Sequence, residues 1–203
     1  ILDNINVDHG VGPSGVHLRD YVWQMQCASH ASIGITSPAT ATIQSPTAHI
    51  DCAFFQNPDD TTGDHPSTLS LGHDIQEWVW PYGHDQDPQE VRRLEALGER
   101  ITSVRRPRLL ATQRGTRCLL LSILSPRRAD QPSRLIRPVP VKAGIGVEVQ
   151  SENTIDTLLI APDHGLILTD KLKCFSEFAL IRHDAAGQFI NQWTLSGEPI
   201  LPR

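Results

Sequence analysis

The second half of this chain is a succession of short segments in which apolar and polar residues alternate. Residues 154–160, 178–183 and 189–195 are examples, and Gly, Pro, Asp or Asn residues bound them. A period of two sends successive side chains to opposite faces of a strand. Short strands at this spacing are typical of an antiparallel sandwich or barrel. The pattern therefore predicts an all-β fold, an antiparallel β-sandwich.

Further strands are predicted at residues 16–25, 48–55 and 118–124. The last of these is an apolar run, and we expect it to end at Ser125 and Pro126.

One irregular stretch and one helix complete the prediction. Residues 64–89 are rich in His, Asp and Pro, and we interpret them as a long loop. Only residues 89–97 have a helical pattern, with Gly98 where a C-cap belongs. At most one or two short helices are therefore expected.

Length and composition favour one domain. At 203 residues the chain fits a single β-sandwich domain spanning 1–203. It starts at Ile1 and its single methionine is Met25, so we expect a fragment of a longer, multidomain protein, with a processed chain as the alternative. No apolar run approaches the roughly 20 residues that a membrane span requires.

Charge is unevenly distributed. Residues 1–90 hold twelve acidic residues against Arg19, a net charge of −11, whereas residues 91–137 hold twelve arginines against three acids, a net charge of +9. We predict that the arginine-rich segment packs against the acidic first half and does not bind polyanions strongly. A sulfate- or carboxylate-binding arginine face is the alternative. The chain as a whole is acidic, which argues against nucleic acid.

Four cysteines lie far apart, at positions 27, 52, 118 and 174. Zinc knuckles and thioredoxin-like motifs need close pairs, so neither is indicated. Three of the four lie in apolar, strand-like contexts, and we interpret them as small buried hydrophobic residues; one or two disulfides of unassigned pairing are the alternative if the protein is exported.

Several strings resemble the β-sandwich of heparinase II/III-type polysaccharide lyases. They are "CLLLSILSP", "GIGVEV", "DTLLIAPDHG" and "FALIRHDAAGQFINQWTLSGEPIL", and the earlier "GVHLRDYVWQMQCASH" is similar to a strand with a Trp-and-His motif in that sandwich. The resemblance implies a sandwich of the super-sandwich type, forming the carboxy-terminal part of such a lyase.

The resemblance also implies partners and a location. In this family an upstream helical toroid domain supplies most catalytic side chains, and the substrate is an acidic polysaccharide such as a glycosaminoglycan. Neither the toroid nor the family's His-x-His-x-Asp-x-Gly-like zinc motif is found in this sequence, so no catalytic residue and no metal ligand is carried over. The expected role is to support or line a glycan cleft, in a periplasmic or secreted protein.

An aromatic cluster offers an alternative function. Trp78, Trp80 and Tyr82 alternate, so an extended backbone would turn all three to one side. Together with Trp23 and His84 they form a candidate carbohydrate-binding set, which would suit a free-standing carbohydrate-binding module. Burial of the tryptophans as anchors of the sandwich is the competing interpretation.

Histidines in the same stretch suggest a second alternative. His65, His73 and His84, with Asp74 and Asp85 beside the last two, are ligands that suit zinc. A cupin-like metal protein would use them. Their spacing matches no named motif, and our main expectation is that no cofactor is bound.

Overall fold

The computed structural model describes residues 2–11, 17–57, 66–80, 83–84, 88–98, 102–115, 119–142, 144–161, 165–170 and 172–202. These residues form seventeen strands, with antiparallel pairing in every sheet, and one short helix. The all-β prediction is confirmed. The helix, α1 (Pro88–Ala96), is followed by Leu97 and then Gly98, which has a φ of 82° and donates its N–H to the carbonyl of Glu95 at 3.0 Å. The predicted helix and its C-cap are confirmed.

Two sheets share the first core. One has five strands in the order β1-β2-β8-β6-β7 and the other four in the order β3-β4-β5-β9; we call them the first and second sheets. Their bounds are β1 (Leu2–Val11), β2 (His17–Gln26), β3 (Ser32–Ser37), β4 (Thr40–Gln44), β5 (Ala48–Gln56), β6 (Thr68–Trp80), β7 (Gly83–His84), β8 (Thr102–Gly115) and β9 (Leu120–Arg128). Phe54 of the second sheet and Leu109 of the first are fully buried between them. Burial of each stabilises the fold by about 1.5–3 kcal/mol.

The remaining strands form a third sheet and a small sheet. The third has the order β10-β11-β12-β15-β16 and the small one the order β13-β14-β17. Their bounds are β10 (Leu135–Val139), β11 (Ile145–Gln150), β12 (Thr154–Ile160), β13 (Ile167–Leu168), β14 (Leu172–Cys174), β15 (Phe178–Asp184), β16 (Phe189–Thr194) and β17 (Leu201–Pro202). Leu159, Ile167 and Cys174 lie in the second core, between these two sheets. Each core has its own buried residues, and the single domain stays a prediction.

The predicted long loop at residues 64–89 is wrong. Its centre is β6, a thirteen-residue strand paired with β8 from Thr68 to Trp80. Leu69 and Leu71 of β6 pack against the first core, while Asp74 and Gln76 on the opposite face hydrogen bond to side chains of neighbouring strands. The polar residues of this stretch suggested a loop, but they form one face of a strand in the first sheet.

The predicted end of the apolar run at Ser125 and Pro126 is also wrong. Strand β9 continues to Arg128, and Pro126 lies opposite Ile50 of β5. Because β9 is the edge strand of the second sheet, its proline needs no partner for the missing N–H on the outer side.

Candidate functional site

Trp23 packs in the first core. Its indole meets the ring of Phe54 edge to face, with 5.1 Å between the ring centroids, and it is one of the partly buried residues around that core. This contact fixes the ring within the fold. Of the other predicted sugar-binding residues, only the backbone of Trp78, Trp80 and His84 is described, and Tyr82 lies outside the described residues. Sugar binding by this set stays a prediction.

His73 and Asp74 are neighbours in β6 and therefore point to opposite faces of the first sheet. The Asp74 carboxylate accepts two hydrogen bonds from Arg108, at 2.9 and 2.6 Å, which lower the pKa of Asp74 below its usual value. The two side chains do not converge on one ion. His65 and Asp85 lie outside the described residues. Among the residues that the structure does describe, no three His, Cys, Asp or Glu side chains cluster as metal ligands.

Ion pairs join the arginine-rich segment to the acidic first half, as predicted. Arg108 pairs with Asp74 at 2.6 Å, and Arg114 approaches Asp20 at 3.8 Å. Arg127 pairs with Asp51 at 2.8 Å, and the two side chains are only 12% and 13% exposed. The predicted packing is confirmed for these three arginines, while weak polyanion binding stays a prediction.

The Arg127–Asp51 pair is the most enclosed of these interactions. Burial alone would raise the pKa of Asp51, but the hydrogen bonds and charge of Arg127, with hydroxyl bonds from Ser133 and Thr42, lower it below its usual value. A third Arg127 nitrogen, Nη1, donates to the carbonyl of Gln131 at 2.8 Å. The pair therefore anchors the segment that links β9 to β10.

A cleft of about 280 Å³ opens beside the Arg127–Asp51 pair, and we call it the polar cleft. One wall is the link between β9 and β10, and the other is the turn between β11 and β12. Its lining consists of guanidinium, amide, hydroxyl and carboxylate groups with one proline: Arg127, Gln131, Pro132, Ser133, Arg134, Gln150, Ser151, Glu152 and Asn153.

Both walls of the polar cleft have a fixed backbone. In the β11–β12 turn, the Ser151 hydroxyl accepts from the N–H of Thr154 at 3.1 Å and donates to its carbonyl at 3.1 Å. In the β9–β10 link, the side-chain carbonyl of Gln131 accepts from the N–H of Arg128 at 3.1 Å. These local bonds hold the walls in place before any ligand arrives.

Two side chains of the polar cleft are available to bind a ligand. Arg134 and Asn153 are exposed, and neither makes a hydrogen bond or ion pair with the part of the chain that the structure describes. A guanidinium can bind a carboxylate through two bonds, and an amide both donates and accepts. The cleft can therefore hold a ligand with hydroxyl and carboxylate groups.

Sequence reasoning missed the polar cleft. The available signal was the position of Arg134 two residues after Pro132 in a link between strands, and that of Asn153 in a turn between two predicted strands. Trp193 was missed as well: it is 44% exposed on the edge strand β16, and the Arg182 guanidinium lies 5.8 Å from its ring centroid. Two hydrogen bonds to Asp156, at 2.6 and 2.8 Å, hold Arg182 in this position.

The described cysteines are buried free thiols, as predicted for Cys27, Cys52 and Cys174. Burial, with the nearby Cys27 and Asp51, raises the pKa of Cys52 to about 12. A thiol with so high a pKa is a poor nucleophile at neutral pH. The structure gives these three residues a packing role.

No helix among the described residues has the length and apolar character needed to cross a membrane. Comparison of the chain with protein-family models, curated proteins and solved structures finds no match.

Proposed function

We propose that this chain is a non-catalytic β-sandwich module that binds an acidic glycan in the polar cleft. The composition of the cleft supports this proposal, because its lining is rich in amide, hydroxyl and guanidinium groups. Sugars present many hydroxyls and little apolar surface, so they need such convergent donors and acceptors. The unpaired guanidinium of Arg134 is suited to the carboxylate of a uronate.

The proposal agrees with the resemblance to the carboxy-terminal sandwich of heparinase II/III-type lyases. A module of that kind would hold the polysaccharide while an upstream domain performs elimination. The isolated chain would then bind a glycan without cleaving it. Incubation with alginate, heparin or chondroitin is expected to give no absorbance of unsaturated uronate, and a sustained rise with any of them would contradict a non-catalytic role.

Calorimetric titration with a uronate tetrasaccharide tests the proposal. Its ligand-side control is the same tetrasaccharide with its carboxylates reduced to alcohols. Arg134→Ala should weaken binding of the acidic sugar about tenfold or more, since a hydrogen bond to a charged group contributes about 1.5–3 kcal/mol. Binding of the reduced sugar should be nearly unchanged by this substitution.

Two further variants complete the design. Asn153→Ala removes neutral hydrogen bonds and should weaken both sugars similarly. Arg105→Ala is the matched control, because Arg105 is an exposed arginine of β8 that does not line the cleft. The proposal would be contradicted if neither sugar binds. It would also be contradicted if Arg105→Ala and Arg134→Ala lose the same affinity for the acidic sugar.

A further inference from the structure

A second cavity lies between the third sheet and the small sheet. Its volume is about 480 Å³, within the range of roughly 300–1,000 Å³ typical of small-molecule sites. The floor is one face of β12, with Ile155, Thr157 and Leu159 at alternating positions. On the neighbouring strands, Glu148 of β11 lies opposite Thr157, and His183 of β15 lies opposite Ile155. We call this space the apolar cavity.

Local hydrogen bonds support two parts of the wall of the apolar cavity. The β13–β14 turn contributes Thr169, whose hydroxyl accepts from the N–H of Leu172 at 3.0 Å. Gly187 closes another side with a φ of 83°, in a turn where the Asp184 carboxylate accepts from the N–H of Gln188 at 2.8 Å. Leu159 belongs both to the floor and to the second core, so the floor of the cavity rests directly on that core.

The chemistry of the lining selects a class of ligand. Most of the wall surface is apolar, with contributions from residues such as Val139, Ile155 and Leu172. The charged side chains in the described lining are two carboxylates, Glu148 and Asp170, and no lysine or arginine belongs to it. Such a wall favours a ligand with an apolar body and a positively charged, hydrogen-bonding end.

Glu148 has a carboxylate oxygen available for such a ligand. Arg137 of the neighbouring strand contacts Oε1, through Nε at 2.9 Å and Nη2 at 2.6 Å. The other oxygen, Oε2, accepts no hydrogen bond from the described residues. Arg137 is 57% exposed and thus largely hydrated, while the Glu148 side chain is only 16% exposed. The pair therefore orients the carboxylate and leaves one oxygen free to accept.

We propose that the apolar cavity binds a small organic ammonium compound. The apolar body would lie on Ile155 and Leu159, and the ammonium group would donate to Glu148 Oε2 with Asp170 at the rim. This site shares no lining residue with the polar cleft and does not depend on glycan binding.

Saturation-transfer NMR and calorimetry with three matched probes test this proposal. The probes are 2-phenylethylammonium, the neutral 2-phenylethanol and the anionic phenylacetate. The ammonium compound should bind about tenfold more tightly than the alcohol, as a charge-assisted hydrogen bond predicts, and the carboxylate should bind least. Equal affinity for all three, tighter binding of phenylacetate, or no binding of the ammonium compound would overturn the proposal.

Variants locate the binding. Glu148→Gln should remove the preference of the site for ammonium over alcohol, whereas Glu177→Gln, an exposed glutamate outside the lining, should keep it. Thr157→Leu adds volume at the floor of the cavity and should abolish binding of the ammonium compound and of the alcohol. Thermal melting shows whether Thr157→Leu is folded; if it is not, Glu148→Gln decides alone. Retained preference in Glu148→Gln, or retained binding in folded Thr157→Leu, contradicts the assignment.

Discussion

The part of the molecule around the first core and the part around the second core use their polar residues differently. Around the first core the two longest strands, β6 and β8, have thirteen and fourteen residues, and arginines are paired with carboxylates such as Asp51 and Asp74. Around the second core the strands are shorter, and the sheet ends enclose the apolar cavity and one wall of the polar cleft. Ion pairs occur here too, at Arg182–Asp156 and Arg137–Glu148, so the parts differ in their cavities: the described lining around the second core keeps Arg134 and one Glu148 oxygen for ligands.

The Arg127–Asp51 pair connects these two roles. It lies in the second sheet, yet its Nη1 bond to the Gln131 carbonyl positions one wall of the polar cleft. A stabilising interaction thus also shapes the candidate site. The predictions below test whether the two parts differ as this account requires.

The largest expected effect is truncation in the first core. Phe54→Ala should lower the free energy of unfolding by about 3–5 kcal/mol, because Phe54 is fully buried between two sheets. Leu159→Ala in the second core should cost less, about 2–3 kcal/mol, since Leu159 already borders the apolar cavity. Urea denaturation measures both. A larger loss for Leu159→Ala would contradict the placement of the apolar cavity beside Leu159.

Breaking the buried ion pair should have the next effect. Asp51→Ala leaves the Arg127 charge without its partner and should cost about 3 kcal/mol. The matched control is Asp130→Ala, which breaks an exposed pair with Arg128 and should cost under about 0.5 kcal/mol. Similar losses for the two variants would show that enclosure of the pair contributes nothing.

The same pair predicts an acid dependence. The pKa of Asp51 is lowered in the folded protein, so the pair stabilises the fold above the unfolded-state pKa of about 3.9. That contribution is lost as the pH falls through the folded-state pKa, below about pH 4. Asp51→Asn should therefore have a flatter stability profile than the wild type in this range. An equally steep acid loss in Asp51→Asn would rule out this role for Asp51.

A glycine substitution tests the close packing where the third sheet begins. A Cβ on Gly146 would collide with the carbonyl oxygen of Val139 and a methyl group of Val141, so Gly146→Ala should cost about 1–3 kcal/mol. Gly72→Ala is the control, because a Cβ there has no neighbour within 4 Å. Thermal melting compares them, and an unchanged melting temperature in Gly146→Ala would contradict the tight β10–β11 contact.

The smallest expected effect concerns polyanions. Because Arg108, Arg114 and Arg127 are engaged with carboxylates, the chain should elute from a heparin column below physiological salt. Arg134→Ala should shift the salt concentration of elution only slightly, since it removes one of the 18 lysine and arginine charges of the chain. Retention well above physiological salt would mean that the arginines form an anion-binding face.

The sequence was sufficient for the fold class and most of the later strands, because period-two alternation reports directly on strands. The prediction was wrong at β6, because Asp74 and Gln76 are residue types typical of loops. In the structure they hydrogen bond to Arg108 and Gln26 of other strands. Long-range partners of this kind leave no local signal. The polar cleft was hidden for the same reason: its walls are separate in sequence, and tertiary structure brings Arg134 to the β11–β12 turn.

The most direct test of glycan binding in the polar cleft is an NMR titration of ¹⁵N-labelled protein with the uronate tetrasaccharide. The account predicts that the largest chemical-shift changes occur at the side-chain amides of Gln131, Gln150 and Asn153 and at the backbone amides of the β11–β12 turn. Changes confined to the first sheet, or no changes at saturating sugar, would contradict it.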